Sequence, residues 1–266
     1  TQSDKIILSN VLKLTDFGYY ALAATVSSSL AILLFPVTSA VFPRMTELIN
    51  KEDQVSFLKL FHGSSQLISL LIIPLGLSLF IFSNDIIIAW TRNTEIAGKA
   101  GPILKYLILG STINSLMIIP YQYTLAVGWL RFGINISLVA ILFFLPIIFF
   151  AAYRYGAIGG AFMWMILNMA YFIFAMLYLF SKHLRKENKQ WYLVDIGRPL
   201  LVCLIFAIPF FLFHEYSGLK NIYALLLFGF CLVVCYSATL WWGTPGLKPE
   251  VIHFIRKIRG IKTMAL

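Results

Sequence analysis

Long apolar stretches alternate with short polar clusters along the whole chain. A hydrocarbon core of about 30 Å is crossed by about 20 apolar residues of helix. Runs of that kind, bounded by charge or turn signals, fall at Phe17 to Phe42, Phe57 to Phe82, Pro102 to Trp129, Phe132 to Tyr153, Ala157 to Phe180, Pro199 to Phe213 and Asn221 to Trp242. The sixth is short and is expected to extend back towards Tyr192. Ahead of them, the apolar stretch from Ile6 to Leu12 stops too soon to cross and reads as a helix truncated on its N-terminal side. Between the second and third runs, Asp85 to Trp90 is apolar but short, as expected of an interfacial segment anchored by Trp90. Period-two alternation is absent, and an open sheet edge cannot face lipid. The expected fold class is all-α, a polytopic transmembrane helical bundle.

Composition agrees with that pattern: 60% of residues are hydrophobic and 12% charged, with a mean hydropathy of +0.85. The net charge of +10 could suggest nucleic acid, but the basic residues sit between apolar runs and not on one soluble face, so no nucleic-acid partner is expected. One set of alternate connections, with the C-terminal tail, holds fourteen Lys and Arg, and the other set holds six. The richer set, which includes Arg44, Arg131, Lys186 and Arg198, is expected to be cytoplasmic. After Pro249, Val251, Ile252, Ile255 and Ile258 recur at helical spacing among Arg256, Lys257 and Arg259. They form either a basic amphipathic helix on the inner leaflet or an ordinary topogenic tail. Cys203, Cys231 and Cys235 lie within apolar runs without metal-ligand spacing and are read as packing residues.

Several short motifs run in one order along the chain: Gln2-Ser-Asp-Lys-Ile-Ile-Leu8, Phe17-Gly-Tyr-Tyr-Ala-Leu-Ala23, Phe35-Pro36, Val41-Phe-Pro-Arg-Met45, Tyr106-Leu-Ile-Leu-Gly110, Pro120-Tyr121 and Tyr155-Gly-Ala-Ile-Gly-Gly-Ala161. Together they resemble the polysaccharide transporter, or Wzx-type, branch of the multidrug/oligosaccharidyl-lipid/polysaccharide flippase superfamily. The resemblance implies a two-lobed MATE-like helical protein. In it, residues 1–186 would supply the second lobe, residues 187–246 two additional transmembrane helices and residues 247–266 a basic cytoplasmic tail. It also implies transport of an undecaprenyl-pyrophosphate-linked oligosaccharide across the bacterial cytoplasmic membrane for O-antigen, capsule or exopolysaccharide. No cofactor is implied, and driving would come from a coupling ion, H+ or Na+, or from the membrane potential. Membrane lipid and polysaccharide polymerase or export proteins would be further partners.

Such transport needs polar groups sheltered among helices, where charge is costly and usually serves a cavity or a partner. Asp4 and Lys5 precede an apolar stretch, but adjacent helical residues lie about 100° apart, so they cannot share one target. They read either as ion or pyrophosphate ligands or as half of an intramembrane ion pair. The amides of Gln66, Asn114, Gln122, Asn135 and Asn168 either meet sugar hydroxyls or join helices. Asn114, Tyr121 and Gln122 are favoured for a cavity, because Tyr121 offers a stacking face and a hydroxyl. Arg44 could receive pyrophosphate, or it is a positive-inside anchor. His62, alone at a helix entrance, reads as interfacial with coupling as the alternative.

Pro36, Pro74, Pro120, Pro146 and Pro209 permit bends within the runs. No cluster of Asp, Glu and His suited to catalysis is visible along the chain, which argues against a membrane glycosyltransferase or polymerase. The scarcity of carboxylates within the runs argues against a cation antiporter of the same superfamily. A non-transporting scaffold is the third alternative.

Overall fold

The computed structural model describes residues 8–217 and 222–247; Asp4, Lys5 and the basic tail from Lys248 lie outside them. Among the described residues the fold is helical throughout, with no strand. The long elements are α1 (Leu14–Asn50), α2 (Gln54–Ile81), the short α3 (Ser83–Thr91), α4 (Thr94–Leu116), α5 (Ile118–Ala126) and α6 (Leu130–Ala170). α6 continues through a π-helical turn, Tyr171–Ala175, into α7 (Met176–Lys182). The single turn α8 (Asn188–Gln190) leads through a second π-helical stretch, Trp191–Gly197, into α9 (Arg198–Ser217). α10 (Ile222–Ala238) closes in a third, Thr239–Gly243. The sixth run does extend back past Tyr192, as its length required.

Six helical runs are long and apolar enough to cross a membrane, and one of them, Leu130–Lys182, has 53 residues. At about 1.5 Å per residue that is about 80 Å, far beyond one crossing. The chain reverses at Gly156, whose φ of 66° and ψ of −151° suit glycine alone. In a continuous helix, residues eight apart are separated by about 12 Å, yet a Cβ on Gly159 would lie 2.2 Å from the carbonyl oxygen of Ala151. The rings of Phe132 and Tyr178 stack at 6.3 Å, and those of Trp129 and His183 lie 4.5 Å apart. Residues 130–155 and 157–182 are therefore two antiparallel limbs, which restores the seven crossings read from the sequence.

Side-chain ties agree with this up-and-down threading. Gln66 in the first half of α2 accepts from the Gly246 N–H beyond α10, while His214 near the end of α9 pairs with Asp85 at the start of α3. The first tie lies in the half of the bundle nearer the passage from α1 to α2, the second at the opposite end.

α4 packs against α1, α2, α3 and the α6 limbs and forms the axis of the bundle. Close approach needs small residues in the absence of a hydrophobic drive between helices. A Cβ on Gly110 would come within 2.7 Å of the Trp164 ring. Ser27, buried on α1, shares a 2.7 Å hydrogen bond with Ser111 on α4, whereas Ser28 and Ser29 turn back to carbonyls of their own helix. α4 ends and α5 begins at Met117, where Pro120 can supply no amide hydrogen to the carbonyl four residues back. α9 and α10 pack on each other and on α2. The limb 130–155 is mostly exposed, with Leu142 at 70% and Phe150 at 75%, an apolar surface suited to lipid or a further helical partner.

Candidate functional site

The break at Met117 opens a cavity of about 330 Å³ between α4, α5 and the two α6 limbs, lined by Asn114, Tyr121, Phe132, Ser137, Trp164, Asn168 and Tyr171 among others. Inside it, Asn114 Nδ2 donates to Asn168 Oδ1 at 2.8 Å, and Asn168 Nδ2 donates to the Trp164 carbonyl at 2.8 Å. Asn168 is fully buried and spent on these bonds, whereas Asn114 is exposed to the cavity and retains its own carbonyl oxygen. Tyr121 is 41% exposed, with its ring over Gly133, where an added Cβ would meet it at 3.5 Å. Tyr121, Gly133 and Ser137 also line a second hollow that continues along α5 past Thr124 to Trp129. The result is a cleft with two amides, the hydroxyl-bearing side chains of Tyr121, Ser137 and Tyr171 and several aromatic faces, which can hold a polyol by stacking and hydrogen bonding.

Asn114 and Tyr121 thus meet as the sequence suggests. Gln122 is half-buried on the same short helix but does not line the cleft. Arg44 is exposed near the end of α1, bound to Glu47 at 2.6 Å with Lys51 on the other Glu47 oxygen at 2.7 Å. This is an exposed surface network and not a lining group of the cleft. Asn135 is exposed on the first limb. Asp4 and Lys5 fall outside the described residues.

A second polar centre corrects the sequence reading. His62 is not alone: it is 8% exposed, with Nδ1 2.5 Å from Asp195 Oδ2 and Nε2 3.0 Å from Glu187 Oε2. Gln66, one turn on, donates from Nε2 to Asp195 Oδ1 at 2.9 Å. Asp195, fully buried, sits in the π-helical stretch Trp191–Gly197, the type of local widening found at functional positions. A His–carboxylate cluster is therefore present, although no group suited to a metal ion occurs among the described residues. Linear reading missed it because the partners lie 125 and 133 residues from His62. The upstream extension of the sixth run past Asp195 was the available signal. Cys203, Cys231 and Cys235 are buried free thiols, in keeping with packing.

Seven apolar crossings with polar side chains gathered inside define a polytopic helical integral membrane protein. Residues 1–91 match the family described as polysaccharide biosynthesis protein. The chain is also 27% identical over 164 residues to a Shigella flexneri protein named "Putative O-antigen transporter". That match takes in 61% of this chain and 38% of the relative, so the chain spans well under two thirds of the relative's length. No solved structure matches the chain. The two matches bear out the resemblance to polysaccharide transporters, and the relative's name is that of a transporter and not of an enzyme.

Proposed function

We propose that this chain forms part of a flippase that carries an undecaprenyl-pyrophosphate-linked oligosaccharide across the bacterial cytoplasmic membrane by alternating access. The observation that carries the reading is the cleft in which Asn114 and Asn168 stand among Tyr121, Trp164 and Tyr171. Amides beside aromatic faces suit sugar hydroxyls and ring C–H surfaces, and a cavity of this chemistry within apolar crossings shelters a polar head group while a lipid tail stays in hydrocarbon. In this reading residues 1–186 act as the second of two lobes, 187–246 as an added helix pair, and the end bearing Asn50 and Lys186 faces the cytoplasm. The lobes rock about the cleft, driven by H+, Na+ or the membrane potential, without a cofactor. Asp4 and Lys5 remain candidates for ion or pyrophosphate, and Arg44 for first contact with pyrophosphate. Polymerase and export proteins of the same pathway are the proposed partners.

The test is complementation of a flippase-deficient strain by the full-length parent with Asn114→Leu, Tyr121→Ala or Trp164→Ala. Each is expected to lower surface polysaccharide at least about tenfold, the scale of one lost polar or stacking contact worth about 1.4 kcal/mol. Lipid-linked units should then accumulate on the inner leaflet. Wild-type polysaccharide in all three variants at normal protein levels would refute the cleft as the sugar site, and units exposed outside would point to a polymerase.

A further inference from the structure

The His62 centre plays no part in the sugar cleft, and its geometry sets a condition on protons. Carboxylates accept hydrogen bonds and cannot donate, and a neutral imidazole carries one N–H. Both His62 nitrogens nevertheless face carboxylate oxygens, Nδ1 on Asp195 and Nε2 on Glu187. The three groups must therefore hold one proton more than a neutral imidazole between two carboxylates would. Among the described residues, His62 is the one cation-forming group within ion-pair distance of either carboxylate. From α2 itself only Gln66 completes the site, and it donates to Asp195.

The polar face of α2 runs on past this centre. Ser65 and Ser69 follow His62 at three and seven residues, on the same helical face. They are 2% and 0% exposed, and their hydroxyls make no hydrogen bond. Serine in an apolar helix normally bonds back to its own carbonyls, and these two buried hydroxyls do not, so they continue the polar face of α2 next to Gln66.

We propose that His62, Asp195 and Glu187 form a proton-binding site whose occupancy fastens the last two helices to α2. With the proton in place, His62 donates to both carboxylates, and the Gln66 amide bridges Asp195 to the Gly246 N–H. The segment from Glu187 to Gly246 is then tied at both its ends to the first half of α2. The proton leaves through Nε2, because the Glu187 side chain is 18% exposed while Asp195 is sealed. What remains is a neutral ring with Nδ1–H on Asp195 and a lone pair against the Glu187 carboxylate, a repulsive contact that opens the turn before Trp191. The ligand is H+, and the site stands whether or not the sugar-lipid reading holds, since nothing in it touches the cleft.

The experiment is backbone hydrogen exchange, read by mass spectrometry on the full chain in lipid nanodiscs, for peptides covering Trp191 to Pro199. After correction for intrinsic rates, exchange in the wild type should rise about tenfold or more between about pH 5 and about pH 9. Glu187→Gln removes the carboxylate that meets the lone pair and should hold exchange low and flat over that range. His62→Gln should lack the step altogether. A flat wild-type profile, or the same step in Glu187→Gln, would overturn the proposal. Glu187 is partly exposed and its substitution leaves Asp195 and Gln66 joined, so this variant tests the idea even where His62→Gln fails to fold. Transport measured on the cleft variants is a separate readout, so either idea can fall alone.

Discussion

Asn168 shows how one amide can serve two ends. Its oxygen takes the Asn114 amide and its NH2 group takes the Trp164 carbonyl, so the second α6 limb is joined to α4 at the wall of the cleft. Asn168→Leu leaves the Asn114 donor without its partner and should destabilise the fold by about 0.6 kcal/mol, and by no more than about 1.7, the range of measured polar pairs between membrane helices. Asn114→Leu should cost less, because its side chain is exposed, and the double variant should fall short of the sum in unfolding titrations from micelles. At the head of α2, Asp53 accepts from Ser56, whose hydroxyl and N–H hold the carboxyl below its usual range. A lowered folded-state value means that this cap contributes at neutral pH and is lost as pH falls through it. Asp53→Ala should therefore weaken thermal stability at neutral pH and converge with wild type in acid, a comparison that melting curves at two pH values make directly.

Among the elements, the paired α6 limbs depend most on a single residue. At Gly156 a φ of 66° with a ψ of −151° lies where side chains are strained, so Gly156→Ala should cost about 1–3 kcal/mol in the same unfolding assay. Gly110→Val should act differently, by forcing the Trp164 ring away from α4, and should cost stability and cleft function together. The sequence indicates this hairpin plainly, because apolar runs ending at Tyr153 and resuming at Ala157 flank a glycine. It likewise indicates the meeting of Asn114 and Tyr121, which sit seven residues apart around Met117 and Pro120. It does not show which amides join helices: Gln66, Asn114 and Asn168 all stand within apolar runs, and only packing assigns their partners. The His62 centre was legible only in part. Extending the sixth crossing back towards Tyr192 takes in Asp195, but nothing in the sequence pairs it with His62, which the π-helical stretch brings about inside the bundle.

For the whole molecule, up-and-down threading places Arg92 and Lys186 at opposite ends. Single cysteines at those positions, in a chain whose three buried native cysteines are replaced, should react with an impermeant thiol reagent from opposite sides of the membrane. Reaction from one side would break the threading at α4 or at the Gly156 reversal. That reversal also bears on how the chain enters the bilayer during synthesis. From Phe132 to Ser181 the only charged residue is Arg154, and it sits at the turn itself with no polar loop around it. Neither limb is separated from the next by a segment that a translocating pore could recognise as a pause. The proposed orientation predicts that the limbs leave the pore as one unit, folded back on themselves, with a solitary guanidinium carried across at their tip.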